Sequence, residues 1–320
     1  MHGLDPDVAR ILDGMRRNKT PALSTQPIEA ARRIYDKGLR LLDLAPDPGV
    51  AVRDLPPDPA ADHLQIREYL PAQRSPGALG GLLWFHGGGY CVGSIETSDI
   101  VCRMFAARCG VPVYSVGYRL APEHPFPAAV DDALRAYRRV LPQLCGGATS
   151  SQRVAVGGDS AGGTLAAVVS LLAPEADLPP PAAQVLVYPG TIGHRPSASK
   201  ERYAEGHFLT LSDVDWFYRN YTQGRDLDDD PRFAPIAARN LRAQPRSLII
   251  AAQCDPLADD ARAYADALAS AGNEVQHEVF PGMIHGFFNM GGVVPAALEA
   301  HAVAIRFLTD AMPHPAAGVA

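Results

Sequence analysis

The sequence predicts an α/β fold, a mostly parallel central sheet flanked by helices on both faces. Three observations carry that prediction. From His63 onward, short apolar runs alternate with longer helical patterns, as parallel strands joined by crossover helices require. Two of those runs end in glycine-rich turns, at Gly87–Gly89 and Gly157–Gly163. The chain has 320 residues, 47% hydrophobic and 20% charged, enough for one large domain or two modest ones.

Taken in order, the segment up to about Arg40 has helical periodicity, with Val8, Ile11, Leu12 and Met15 and then Ala30, Ile34 and Leu41 on repeating faces. The connector LAPDPGVAVRDLPPDPAADH follows; its prolines and aspartates disfavour a long regular element. The strand-like runs are LQIREYL, LGGLLWF, VPVYSVGY, RVAVGG, AAQVLVYP, RSLIIAA and NEVQHEVF. Helices are predicted at Ile100–Cys109, Pro127–Leu141, Ala161–Leu172, Ala258–Ala271 and Val294–Met312. Between Tyr188 and Ser247 lies a stretch with aromatics, acids and prolines, too long for a loop inside a compact domain. It reads as an inserted subdomain over 190–240. No internal repeat is visible.

The net charge of −6, with basic residues scattered among acidic ones, gives no electrostatic reason for nucleic acid or anionic lipid as a partner. The start, MHGLDPDVARILDGMRRN, has no apolar core of a signal peptide. No apolar stretch approaches the roughly 20 residues of a membrane span; the longest, Thr164–Ala173, reads as a buried helix. The five cysteines, at 91, 102, 109, 145 and 254, show no C-x-x-C spacing. That argues against a disulfide framework or zinc site and fits a reducing, cytoplasmic setting.

The stretch WFHGGGYCVG asks what needs a bare main chain. A Walker loop would end in Gly-Lys-Ser/Thr, but Tyr90, Cys91 and Val92 follow Gly89. A dinucleotide fingerprint begun at Gly87 needs glycine where Val92 stands, and Gly93 comes one residue late. Both phosphate readings fail. The second stretch, GGDSAGG, contains G-x-S-x-G centred on Ser160, after a strand-like run and before an apolar helix. Such a serine sits on a strained strand-to-helix turn, its hydroxyl presented above the sheet beside the helix N-terminus.

A serine hydroxyl is a weak nucleophile and needs a base that a third group orients. Of the ten histidines, His285 lies in PGMIHGFF, just past the last strand-like run, and Asp255 directly follows SLIIAAQC. Ser160, Asp255 and His285 therefore fall beyond the C-terminal ends of parallel strands, where open α/β sheets build their sites. Their chain order is that of α/β-hydrolases. Acyl transfer also needs donors for a developing oxyanion. The N–H of Ala161 supplies one, and the glycines at 87–89 are the evident source of others.

HGGG at 86–89, YRLAPEHPFPAAVDD at 118–132, GDSAGG at 158–163, DPL at 255–257 and HGF at 285–287 together resemble the hormone-sensitive lipase family of α/β-hydrolases, the bacterial family IV esterases. The Asp159 form of the serine motif resembles the GDSAG subfamily. The resemblance implies Ser160 as nucleophile, His285 as general base and acid, and Asp255 as its orienter. It implies Gly88, Gly89 and Ala161 as oxyanion donors, His86 as a brace for their loop and Gly87 as its turning point. It also implies a cap, built from residues 1–50 and 190–240, over a catalytic domain of residues 51–189 and 241–320. Tyr90, Ile284 and Phe287 are the residues expected on the pocket wall, with Phe208, Leu209, Trp216, Phe217 and Phe288 weaker choices.

The expected function is a serine carboxylesterase for short- to medium-chain acyl esters, working without metal or cofactor on a small-molecule substrate. A hydrolase of a specialised ester, lactone or amide would carry the same triad. A non-catalytic receptor of this fold, as in the plant gibberellin receptors, would lack the histidine. Homodimers are common in the family, though nothing in this chain singles out an interface.

Overall fold

A computed structural model describes residues 3–61, 63–73, 80–144 and 154–311. Cys145 and the predicted helix end at Met312 lie outside the described residues. The described strands are β1 (Val50–Asp54), β2 (Gln65–Pro71), β3 (Gly81–Phe85), β4 (Val113–Gly117), β5 (Val154–Asp159), β6 (Ala183–Val187), β7 (Arg246–Cys254) and β8 (Val275–Ile284). They form one sheet in the order β1-β2-β4-β3-β5-β6-β7-β8. β2 runs antiparallel to both of its neighbours, and the strands from β4 to β8 are mutually parallel.

The burial of each strand explains its sequence. GLLWF of β3 and AQVLV of β6 are buried at every position, because helices cover both faces and leave no solvent side to alternate with. Leu82 and Trp84 face one core with Val185, Leu248 and Ile250. Leu83 and Phe85 face the other with Val156, Leu186 and Ile249, as the two-residue period of a strand dictates. Five residues of the connector, VAVRD, form β1 against β2. The sequence offered no long element there, and the structure forms a short edge strand that is mostly exposed, so its apolar signal is weak.

The described helices are α1 (Pro6–Arg17), α2 (Ile28–Leu42), α3 (Asp99–Cys109), α4 (Ala128–Leu144), α5 (Ala161–Leu172), α6 (Ala198–Arg202), α7 (Leu211–Thr222), α8 (Ala258–Ser270) and α9 (Pro295–Ala311). Of these, α3, α4, α5, α8 and α9 agree with the predicted helices to within a few residues, and α1 and α2 fall in the segment of helical periodicity. α6 and α7 lie in the inserted stretch, where the sequence marks no helix. Their ends are locally encoded. Asp5 caps α1 with Pro6 in its first turn. Thr210 and Asp213 close a reciprocal capping box at the start of α7. α5 is apolar and buried over Ala161–Ser170, as a helix packed on the middle of the sheet must be. Among the described residues no helix is long and apolar enough to cross a membrane, and Cys91, Cys102, Cys109 and Cys254 are buried.

Two segments outside the sheet meet above the C-terminal strand ends. The N-terminal segment supplies α1, α2 and the turn at Leu23–Thr25; the stretch between β6 and β7 supplies α6 and α7. Asp213 ties them together, taking the Ser24 N–H at 2.9 Å.

Candidate active site

Ser160 stands between β5 and α5 with φ 54° and ψ −122°, a strained conformation for a residue with a side chain. The strain is held from several sides. Its N–H donates to the Val187 carbonyl at 2.8 Å. A Cβ on Gly162 would lie 2.0 Å from the carbonyl oxygen of Phe85, so only glycine lets α5 come this close to β3. The turn therefore lifts the Ser160 side chain clear of the sheet.

His285 follows the last residue of β8, and Asp255 follows β7. Parallel pairing of these strands puts both beside Ser160. His285 Nε2 lies 2.9 Å from Ser160 Oγ, and His285 Nδ1 lies 2.7 Å from Asp255 Oδ2. The carboxylate accepts at Nδ1, which places the proton there and leaves Nε2 free to accept from the serine hydroxyl. Asp255 is fully buried, and its other oxygen accepts the Leu257 N–H at 2.8 Å. The Tyr188 ring packs on the imidazole with centroids 4.5 Å apart. The arrangement can move a proton from a serine hydroxyl to a histidine held in one tautomer.

The glycine loop borders the same space. Gly88 and Gly89 have φ of 115° and 56°, and both line a cavity of about 920 Å³ together with Ser160, Ala161 and His285. Among the described residues the N–H groups of Gly88, Gly89 and Ala161 have no acceptor, so all three are free for a ligand oxygen. His86 lies under the loop: its Nδ1 donates to the Gly87 carbonyl at 2.7 Å, and its ring stacks on Tyr118 at 4.2 Å. Burial pushes its pKa down to about 4, so it braces the loop as a neutral ring.

A family model described as the alpha/beta hydrolase fold matches residues 82–289. This chain is an α/β-hydrolase of the hormone-sensitive lipase family. The hydrolase is 37% identical to the ethyl acetate hydrolase of Pseudomonas putida, over 95% of this chain and 98% of that protein. It is 36% identical to the carboxylic ester hydrolase LipN of Mycobacterium tuberculosis, over 90% of this chain and 77% of that one. Among solved structures, the ester-hydrolase EH1AB1 from the metagenome of Lake Arreo, complexed with a bipyridine phosphonate derivative, superposes with a TM-score of 0.88. That match has 37% identity and covers 95% of this chain and 98% of its own.

Not every expected pocket residue reaches the cavity of the hydrolase. Tyr90, Phe208, Leu209 and Phe217 line it. Ile284 and Phe287 do not: both are fully buried in the core beneath the site. Gly286, at φ 84°, turns the chain after His285, so Phe287 points back and packs against Tyr188 and Phe280. Trp216 and Phe288 also lie off the cavity wall, Trp216 beside Phe217 and Phe288 against Trp84. Tyr90 takes a positive φ of 63° and stacks on Tyr221 at 3.9 Å, so it is both wall and packing.

Two contributors had no signal of their own. Asp159 accepts the Gly87 N–H and the Asn289 side-chain amide, each at 3.0 Å. It thereby joins the serine turn, the glycine loop and the turn after His285. Burial pushes its carboxyl up to about 6, against the pull of those two donors and of His285. Asp159 was visible only as a letter of the serine motif. Asn289 lies four residues beyond His285 with no pattern to mark it.

Proposed function

We propose that this carboxylic ester hydrolase acts through Ser160, His285 and Asp255 by way of an acyl-enzyme, on short- to medium-chain acyl esters. The observation that carries the reading is the hydrogen-bonded series Ser160–His285–Asp255, at 2.9 and 2.7 Å, opening into the cavity beside three free amides. Nε2 of His285 takes the Ser160 proton as Oγ attacks the ester carbonyl. The carbonyl oxygen becomes negative against the N–H groups of Gly88, Gly89 and Ala161, whose loop is already in place. Collapse breaks the bond to the alcohol oxygen, which leaves with the proton from Nε2. Water then gives a proton to His285, attacks the acyl-enzyme and releases the acid, returning the proton to Ser160. Asp255 keeps the imidazole in the tautomer this needs and stabilises the transient imidazolium.

The cavity supports the substrate class. A volume of about 920 Å³ lies near the upper end for small-ligand sites, roughly 300–1,000 Å³, and its walls include Ile11, Met15, Leu209, Val214 and Phe217. α1, α2 and α7 close it from above, which supports reading residues 1–50 and 190–240 as a cap. The test is hydrolysis of p-nitrophenyl esters of graded chain length beside Ser160→Ala. The expected result is a rate maximum at short or medium acyl chains and loss of turnover in the variant. A variant that keeps the full rate removes Ser160 from its role.

A further inference from the structure

The segment after β6 does more than help close the cavity. Its residues 191–200 are stitched to the turn that carries Asp255. Ser199 Oγ donates to the Pro256 carbonyl at 2.7 Å, and the Ser199 N–H donates to Asp259 Oδ2 at 2.9 Å. In return the Asp259 N–H donates to Ser199 Oγ at 3.1 Å. One residue on, Lys200 Nζ donates to the carbonyls of Gly193 and Arg195 at 2.7 and 2.9 Å and stands 3.5 Å from Asp260 Oδ1. The Asp260 carbonyl accepts from Thr191 Oγ1 at 2.6 Å. Ser199, Lys200 and Asp260 are all buried, Lys200 only 4% exposed.

A lysine and an aspartate are taken out of water at a substantial cost, which is offset only when both are held and paired. Here burial pushes the Asp260 carboxyl up and Lys200 is the largest opposing influence. Asp260 sits in the first turn of α8, just beyond the turn that carries Asp255, and Lys200 reaches it from α6. Pro256 has no N–H to anchor that turn, so its carbonyl and the residues after it are what can be held from outside. We propose that Ser199 and Lys200 are positioning residues for Asp255: the segment after β6 clamps the Asp255–Asp260 turn so that the carboxylate stays on His285 Nδ1. This rests on the proposed roles of Ser160, His285 and Asp255. It makes the segment that borders the substrate also a determinant of the geometry of the acid.

The test combines kinetics with the downfield proton resonance of the His285 Nδ1–H, which reports the bond to Asp255 directly. In Ser199→Ala and Lys200→Met, kcat on p-nitrophenyl acetate is expected to fall about tenfold with KM within about twofold, an effect of misplacement. The resonance should move upfield or broaden, and Ser199→Thr should recover both readouts. A folded Ser199→Ala with wild-type kcat overturns the proposal. So does a fall in kcat with the resonance unmoved, or a rise in KM alone. Should either variant fail to fold by circular dichroism, Ser199→Cys, near-isosteric and a weak donor, carries the same readouts. Ser160→Ala run in parallel separates the two claims. Turnover surviving there overturns the catalytic reading, while the resonance still tests the clamp.

Discussion

Gly89 and Phe217 meet where a side chain on residue 89 would stand: a Cβ there would lie 2.2 Å from the Phe217 ring. The glycine loop and α7 are therefore fitted to each other, and an amide proposed for the oxyanion is placed by a residue of the covering segment. Gly89→Ala meets both this ring and an unfavourable φ of 56°. We expect kcat to fall by about 100-fold, as for loss of one oxyanion donor. Adding Phe217→Ala should recover part of the loss, since it opens the space but leaves the backbone strain. A double-mutant cycle with strictly additive effects would show that the two do not act on one another.

Arg32 fastens α2 to the same loop. Its guanidinium donates to the carbonyls of Cys91 and Ala121, at 3.0 and 3.1 Å, and pairs with Glu123 at 2.7 Å. The Glu123 side chain is nearly half exposed, so the ion pair itself contributes little. The two carbonyl bonds to a charged donor carry most of the effect. Arg32→Ala should cost about 2 kcal/mol of stability, with a several-fold rise in KM and a smaller change in kcat. Thermal unfolding and steady-state kinetics check both. An unchanged KM would show that α2 keeps its place over the cavity without this anchor.

His301 makes stability depend on pH in a defined direction. It is buried against Phe288, donating from Nε2 to that residue's carbonyl at 2.7 Å, and burial pushes its pKa down to about 4. In the unfolded chain it takes a proton near pH 6.5. Between those values the unfolded state binds more protons, so stability is complete above about 6.5 and is lost as pH falls toward 4. A shift of this size corresponds to about 3 kcal/mol. His86 acts in the same direction. Asp159, raised to about 6, acts oppositely: its contribution is lost as pH rises from about 4 to 6. His301→Gln keeps a donor near Nε2 and removes the titration. Urea unfolding at pH 4.5 and 7 should show a smaller acid-side loss in the variant; equal losses would mean that His301 is not buried as a neutral ring.

Chain order and periodicity reached the fold because each signal is local. The fully buried strands read as unbroken apolar runs, and the serine turn announces itself through glycines that the packing requires. β1 escaped because an exposed five-residue edge strand has little hydrophobic pattern. Ile284 and Phe287 were misplaced for a different reason. An apolar residue beside a site residue points into the cavity or into the core according to one backbone turn, and Gly286 makes that turn toward the core. Asn289 and Ser199 carry no motif because their partners, Asp159 and Pro256, are distant in the chain.

By itself the sequence determined the strand–helix alternation, and it offered the residues proposed for acyl transfer and their order along the chain. Those depend on residue type and short-range spacing. Only the tertiary structure decided that the strand ends bring Ser160, His285 and Asp255 within hydrogen-bond distance, and which aromatics face the cavity. It alone brought Phe217, Arg32 and Ser199 against the loops around them. Contacts between distant segments are set by how whole elements pack, and packing leaves no periodic trace at the positions that meet.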